Sequence, residues 1–132
     1  MTVTRQGRCL CGAVRFKITG PVSDPIACHC RECQRHSGGI WISVTAARAD
    51  VEIQRDRLAW VSVSESARRG FCRDCGGYLF WEAVDGDEIE IAFGALDDRD
   101  GLRLAAHIHT DESPLPVADD GVPRYPGAKP DP

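Results

Sequence analysis

The sequence predicts a mainly β domain of antiparallel strands with at most short helical turns. Short segments of alternating or β-branched residues recur along the 132-residue chain, which is the pattern of strands. Short stretches of turn-forming residues separate these segments, as in antiparallel sheets. The best helical candidate covers only a turn or two, across residues 30–36. A chain of this length forms one domain with a buried core.

Five segments are predicted strands. Residues 13–18 alternate apolar and basic side chains after a first alanine, which is the period of a half-buried strand. Residues 40–44 and 58–63 are rich in β-branched and aromatic side chains. Residues 78–81 are apolar and aromatic, and residues 89–93 alternate again.

The remaining segments predict a turn and a tail. Asp85-Gly86-Asp87 separates the last two strands and is typical of a hairpin turn. Residues 114–132 hold six of the eight prolines, which remove backbone donors and predict an extended, irregular chain. We therefore expect a β domain over residues 1–113 and a proline-rich tail over residues 114–132, packed on that domain or trailing from it.

Seven cysteines fall into three tight groups, at residues 9–11, 28–33 and 72–75. Free cysteines are normally scattered as small buried residues, whereas one metal ion needs several sulfurs close together. A closed structural zinc site takes four ligands, and a catalytic site takes three and keeps one position open. The count therefore permits one site of each kind.

Disulfide bonds are the alternative reading of these cysteines. An odd count leaves one thiol unpaired in a complete disulfide framework. The segment Met1–Arg8 has no apolar core of a secretory signal, and no stretch approaches the roughly 20 apolar residues of a membrane span. We expect a cytoplasmic protein in a reducing compartment, where paired cysteines are more often metal ligands.

The first and last cysteine pairs have complementary geometry. Cys72 and Cys75 have two residues between them and precede two glycines, which have the freedom to turn backbone N–H groups toward the sulfurs. Cys9 and Cys11 have one residue between them, so on a strand they share a face. One pair from each end of the domain would make a four-thiolate site that contributes folding free energy directly.

The central group offers three thiols, from Cys28, Cys30 and Cys33. If the other two pairs belong together, no fourth cysteine remains for this group. His29 lies between two ligands, so its side chain is expected to point away, whereas His36 is three residues beyond Cys33 and within reach. A closed site of three cysteines and one histidine therefore stays an alternative to an open, catalytic site.

The charge of the chain argues against nucleic acid as a partner. The formal net charge is −4 and the isoelectric point is near 5.5, so the basic field of a nucleic-acid-binding domain is missing. Guanidinium groups near the cysteines would offset the negative charge of zinc–thiolate centres; the alternative is a solvated arginine at the surface. The arginines concerned are Arg31, Arg35, Arg68, Arg69 and Arg73.

The order of the motifs resembles one known family. Cys-x-Cys-Gly is followed by Cys-His-Cys-x-x-Cys with a Ser-Gly pair, then by Phe-Cys-x-x-Cys-Gly and Gly-x-Leu-Asp. This order is similar to that of the glutathione-dependent formaldehyde-activating enzyme and centromere protein V family. The resemblance runs from about Gly7 to Ile108 and includes all seven cysteines.

The resemblance implies twisted antiparallel β-sheets organised around two zinc ions per chain. It implies a structural zinc site and a second zinc site associated with catalysis. The ligands implied are Cys9, Cys11, Cys72 and Cys75 for the first site, and Cys28, Cys30 and Cys33 for the second. The activity implied is addition of glutathione to formaldehyde, a reaction of the carbon–sulfur lyase class. His36 or His29 would then protonate the new alkoxide.

The chain departs from the family pattern after Ile108. Asp111 and Glu112 stand in a segment where the family usually has a lysine and a tryptophan. If this segment borders the substrate cleft, we expect the acids to repel the carboxylates of glutathione. Two other functions stay open: a lyase acting on a related thiol adduct, and a non-catalytic, zinc-stabilised binding module with a vestigial second site.

Overall fold

A computed structural model describes residues 3–130. In this range it contains ten β-strands and one α-helix, with three short 3-10 turns. The strands are β1 (Thr4–Arg8), β2 (Arg15–Thr19), β3 (Ile26–Cys28), β4 (Trp41–Ala47), β5 (Val51–Ile53), β6 (Leu58–Val61), β7 (Ala67–Cys72), β8 (Tyr78–Ala83), β9 (Glu88–Ala92) and β10 (Ala106–Ile108), and the helix is α1 (Arg31–Ser37).

The strands form two sheets. The smaller sheet has the order β1-β2-β5, and the larger has the order β10-β3-β4-β9-β8-β7-β6. Every pairing between strands is antiparallel except that of β10 with β3, which is parallel. The prediction of a mainly β, largely antiparallel fold is confirmed, and the parallel edge is a feature that the sequence pattern did not indicate.

The main core lies between the two sheets. Phe16 from β2 meets Phe80 from β8 with ring centroids 5.4 Å apart and planes at 73°, an edge-to-face arrangement that aromatic pairs favour. Ile18 of β2 and Val44 of β4 are fully buried in the same cluster. The alternation predicted for residues 13–18 therefore places its apolar face against the larger sheet.

The single helix is short and capped at both ends. Cys30 precedes α1, and its Sγ accepts a hydrogen bond from the backbone N–H of Cys33 at 3.4 Å. Gly38 ends the helix with φ of 90°, a left-handed conformation that glycine adopts without strain, and donates its N–H to the Gln34 carbonyl. The predicted turn or two at residues 30–36 is confirmed.

The proline-rich tail runs beside β10. The N–H of His107 donates to the Pro123 carbonyl at 2.9 Å, and the N–H of Tyr125 donates to the His107 carbonyl at 2.9 Å. These bonds hold the irregular tail on the domain, while the domain boundary at residue 113 stays a prediction. Across residues 3–130, no helix is long and apolar enough to cross a membrane.

Candidate metal centres

The first and last cysteine pairs meet in space. The four Sγ atoms of the group lie within 4.8 Å of one another, with Cys9 to Cys11 at 3.7 Å and Cys11 to Cys72 at 3.8 Å. A tetrahedral ion with four bonds of about 2.3 Å separates its sulfurs by about 3.8 Å. The group therefore has the size of a closed metal site. Its members are Cys9, Cys11, Cys72 and Cys75.

Backbone geometry supports this four-cysteine centre. Gly12 and Gly76 adopt φ of 82° and 77°, which lets the chain turn back directly after each pair. The backbone N–H of Val14 donates to Cys9 Sγ at 3.3 Å, and that of Asp74 donates to Cys72 Sγ at 3.4 Å. Such N–H···S bonds stabilise thiolate ligands, so the donor set fits a metal ion.

The pairs reach this centre from both sheets. Cys9 follows β1 of the smaller sheet, and Cys72 ends β7 of the larger sheet. A metal ion held here would therefore tie the two layers together at one end of the core. Each of the seven cysteines in the structure is a free thiol, which leaves all of them available as ligands.

The three central thiols form a second group. The Sγ atoms of Cys28, Cys30 and Cys33 lie within 4.8 Å of one another, because β3 ends at the first and α1 carries the last. In the part of the chain that the structure describes, no histidine, aspartate or glutamate ligand atom joins this three-cysteine centre. Trp41 and Ala92 pack against Cys33 beneath it.

Arg69 is the buried cation beside the three-cysteine centre. Its side chain is 6% exposed, donates to Glu32 at 3.0 Å and to Tyr78 Oη at 2.9 Å. Hydrogen bonding from Cys28, opposed by burial, lowers the pKa of Cys33 to about 6, and Arg69 acts in the same direction. Arg68 instead pairs with Glu82, so the five arginines do not act as one group.

Three aromatic rings stack beside this centre. Tyr78 lies between His36, at 3.9 Å and 15°, and Trp41, at 4.2 Å and 16°. Burial, followed by the charge of Arg69, lowers the pKa of His36, and burial raises the pKa of Tyr78. Trp41 and Tyr78 lie on strands that are distant in sequence. The sequence pattern therefore placed each of them on a strand and did not show that their rings stack.

The stack lines a cavity of about 770 Å³, which we call the stack cavity. The cavity extends from His36 to the loop that carries Cys9, and Arg8 and Asp97 also line it. Asp111 and Glu112 are not among its lining residues. Glu112 instead accepts a hydrogen bond from the backbone N–H of Arg31 at 3.2 Å, so the expected repulsion does not arise at this cavity.

Glu90 is a half-buried acid that the sequence pattern did not single out. It alternates with isoleucines in β9 and accepts a hydrogen bond from Ser43 at 3.0 Å. Burial raises the pKa of its carboxyl group, and the thiol of Cys33 raises it as well. The face of the larger sheet beneath α1 thus packs into a second interior region, which is partly polar.

His29 points away from the cysteines, as expected. Its Nε2 lies 3.0 Å from Nδ1 of His107, whose Nε2 lies 2.8 Å from Oδ2 of Asp120 in the tail. Both imidazoles are buried. Burial, followed by the neighbouring His107, lowers the pKa of His29. His29 is therefore not placed to act on a substrate at the three-cysteine centre.

Fold and site together define a β protein with two thiol clusters of metal-binding geometry, one with four sulfurs and one with three. The profile of the family described as glutathione-dependent formaldehyde-activating enzyme matches residues 4–112. The chain belongs to this family, as its motifs predicted.

Two relatives show how far the likeness extends. A Schizosaccharomyces pombe protein named as an uncharacterized lyase is 24% identical over 81 residues, 61% of this chain. The match spans 59% of that protein, less than two thirds of its length. The crystal structure of a Rhodobacter sphaeroides protein has a TM-score of 0.61 at 21% identity, and the alignment covers 91% of this chain and 98% of that one. This second likeness concerns the fold alone.

Proposed function

We propose that the chain is a zinc-dependent enzyme of the carbon–sulfur lyase kind, which adds glutathione to formaldehyde or cleaves a related thiol adduct. The observation that carries this proposal is a three-thiol centre that no fourth ligand from residues 3–130 joins, packed behind the wall of the stack cavity. Membership of the family and the lyase name of the Schizosaccharomyces pombe relative support the reaction class.

The cysteines divide into a structural and a catalytic set in this proposal. Cys28, Cys30 and Cys33 would hold the zinc ion, which would supply a Lewis-acid site that lowers the pKa of an incoming thiol. Arg69 offsets part of the negative charge of the three thiolates, and its own guanidinium group is held in place by Glu32 and Tyr78. The structural ligands are Cys9, Cys11, Cys72 and Cys75, and the catalytic ligands are Cys28, Cys30 and Cys33.

The reaction needs one proton to be moved. The thiol sulfur forms a bond to the carbonyl carbon, the π electron pair moves to oxygen, and the oxygen takes the proton that the thiol gave up. His36 is the candidate that accepts this proton and returns it, because burial favours its neutral imidazole. Its place in the aromatic stack fixes the plane of the ring.

Two charged side chains of the stack cavity match the charges of glutathione. Arg8 would hold a carboxylate of the tripeptide, and Asp97 would hold its ammonium group. Tyr78 and Trp41 form an apolar wall that keeps water from the adduct. The cavity volume of about 770 Å³ is in the range of small-molecule sites.

The test is the rate of exchange between free glutathione and its formaldehyde adduct, measured by NMR exchange spectroscopy with the zinc-loaded chain. We expect the wild-type protein to accelerate exchange and the Cys30→Ala variant to lose the acceleration while keeping its β-sheet circular dichroism. Arg55→Gln, at an exposed arginine outside the cavity, is the control that keeps full activity. A wild-type protein that neither binds glutathione nor changes the rate would favour the non-catalytic binding module.

A further inference from the structure

A second cavity lies on the other side of α1, away from the stack cavity. It measures about 600 Å³, and its walls come from α1, the Gly38–Ile40 turn and the tail segment 113–118. None of the seven cysteines lines it. Its volume is in the range of small-molecule sites, and the proposed lyase reaction does not use it. We call it the histidine cavity, because His29 and His107 line it.

Three residues that are distant in sequence form a hydrogen-bonded chain at this cavity. His29 and His107 are only 6% and 5% exposed. His107 contacts Asp120 through Nε2 at 2.8 Å and His29 through Nδ1 at 3.0 Å. The tail bonds of Pro123 and Tyr125 to the backbone of His107 place Asp120 against the ring.

The carboxylate determines where the protons lie. The hydrogen bond from His107 lowers the pKa of Asp120, so this side chain is an acceptor at neutral pH. In a neutral imidazole of His107, the single proton then lies on Nε2, as in the resting Asp–His pair of catalytic triads. Its Nδ1 is left as an acceptor, so His29 donates from Nε2. The remaining nitrogen of His29, Nδ1, carries a lone pair.

That lone pair is open to the cavity. Among residues 3–130, His29 Nδ1 has no hydrogen-bond partner. Every fully buried side-chain nitrogen or oxygen in this range does have a partner, so Nδ1 is not fully buried. Nδ1 therefore keeps some accessible surface, and the histidine cavity, which His29 lines, is the space into which it can open. Water can reach an acceptor at the cavity surface, and a ligand that donates a hydrogen bond to Nδ1 would take the place of that water.

The rim of the histidine cavity is basic. Arg31 and Arg35 line it, both are exposed, and neither forms a salt bridge with a carboxylate of the described chain. Ile40, Leu115 and Val117 add apolar wall between the rim and the histidines. The cavity thus combines an anion-binding rim, an apolar middle and a hydrogen-bond acceptor.

We propose that the histidine cavity binds a small organic carboxylate with an apolar body and a hydroxyl or amide donor, which His29 accepts at Nδ1 while Arg31 and Arg35 hold the carboxylate. This site is separate from the proposed lyase centre and does not depend on that function. Asp120 and His107 are positioning residues, since they act only by fixing the proton of His29 on Nε2.

The probe is para-hydroxyphenylacetate, titrated into the full-length, metal-loaded chain by calorimetry. We expect saturable binding that weakens about tenfold for para-methoxyphenylacetate, which lacks the donor. Arg35→Gln should weaken binding of the hydroxy probe by about tenfold as well, through loss of a charge-assisted bond. Arg55→Gln is the matched control and should bind as the wild type does. Absence of saturable binding, or equal affinity for both probes, overturns the proposal.

The proton arrangement has its own readout in long-range proton–nitrogen NMR spectra of the histidine rings. We expect both His29 and His107 as Nε2–H tautomers, with the Nδ1 signal of His29 moving when the hydroxy probe binds. Asp120→Asn should introduce the other tautomer, because an amide donates as well as accepts, and should reduce the preference for the hydroxy probe. A wild-type spectrum with a proton on Nδ1 of His29 contradicts the assignment.

Discussion

Arg69 donates a hydrogen bond to the phenol oxygen of Tyr78 at 2.9 Å from a position in the interior of the protein. A buried guanidinium needs charge and hydrogen-bond partners, and it finds them in this phenol and in Glu32. The same cation lowers the pKa of Cys33. It is therefore the residue through which the charge of the three-cysteine centre is balanced.

We predict that Arg69→Gln weakens metal binding at the three-cysteine centre by about tenfold or more, the usual effect of losing a partner that supports metal ligands. Competition with a chromophoric chelator measures the affinity. Arg68→Gln is the matched control, because Arg68 pairs with Glu82 and lies over Trp60 at 3.9 Å instead. Equal loss in both variants would show that Arg69 has no special role.

We predict that Cys75→Ala loses one of two bound metal ions and much of the stability of the fold, because metal binding at a closed site contributes directly to the free energy of unfolding. Cys30→Ala should lose the other ion and keep the fold. Metal content by mass spectrometry and thermal melting distinguish the two outcomes. A Cys75→Ala protein with full metal content and an unchanged melting temperature contradicts the assignment of the four-cysteine centre.

We predict that His36→Gln reduces the proposed lyase rate by about a hundredfold or more, the range of a lost acid–base group. The metal content should not change, because no ligand atom of His36 joins the three-cysteine centre. Rates by exchange spectroscopy and metal analysis on the same sample provide the measurement. Loss of metal together with activity would instead make His36 a ligand.

We predict that Glu90→Gln stabilises the protein near neutral pH. Burial raises the pKa of Glu90 above its ordinary value of 4.5, so the folded state holds a proton that the unfolded state has lost. Stability therefore falls as pH rises from 4.5 through the folded pKa. The glutamine amide does not ionise, so the variant avoids this loss of stability. Its stability advantage over the wild type should therefore disappear at about pH 4.

Urea unfolding at acid and neutral pH measures the effect. Glu88→Gln, at an exposed position on the same strand, is the control and should show no such pH-dependent gain. A pH-independent difference between Glu90→Gln and the wild type would mean that ionisation of Glu90 does not oppose folding.

We predict that Gly7→Ala destabilises the fold by about 1–3 kcal/mol, the usual cost of overpacking a core. A Cβ at this position would overlap the ring of Phe16 and the carbonyl oxygen of Ala95. Gly94→Ala is the control, because nothing lies within 4 Å of the Cβ there. It should change the free energy of unfolding by less than about 0.5 kcal/mol, and equal values for the two variants would be inconsistent with this packing.

Strands with clear alternation were predictable from sequence, and strands that depend on distant packing were not. β2, β4, β6, β8 and β9 lie at the predicted segments within a few residues. β7 was missed because it contains two arginines and Gly70. In the fold, Gly70 lies against the rings of Trp60 and Phe80, and Arg69 finds its partners on other elements. β3, β5 and β10 have three residues each, too few to show a period.

The candidate site divides in the same way. Spacing along the chain predicted which cysteines meet, because the members of each ligand pair are close in sequence. Only the two pairs of the four-cysteine centre are distant from each other in sequence. The chain from His29 to Asp120 joins residues 78 and 13 positions apart in sequence. Nothing local marks these three residues as neighbours. Only the parallel pairing of β10 with β3 brings the two histidines together.

A metal ion bound at the four-cysteine centre would determine when this chain can finish folding. Cys11 and Cys72 are 61 residues apart, and closing a flexible loop of that length costs about 4 kcal/mol in chain entropy. Zinc binding at a structural site contributes about 10–16 kcal/mol of folding free energy, which is several times this entropic cost. During synthesis, the thiols of Cys9 and Cys11 emerge long before Cys75 exists to complete the site. Metal supply to the newly made chain, rather than its length, would then set the moment at which the two sheets close on each other.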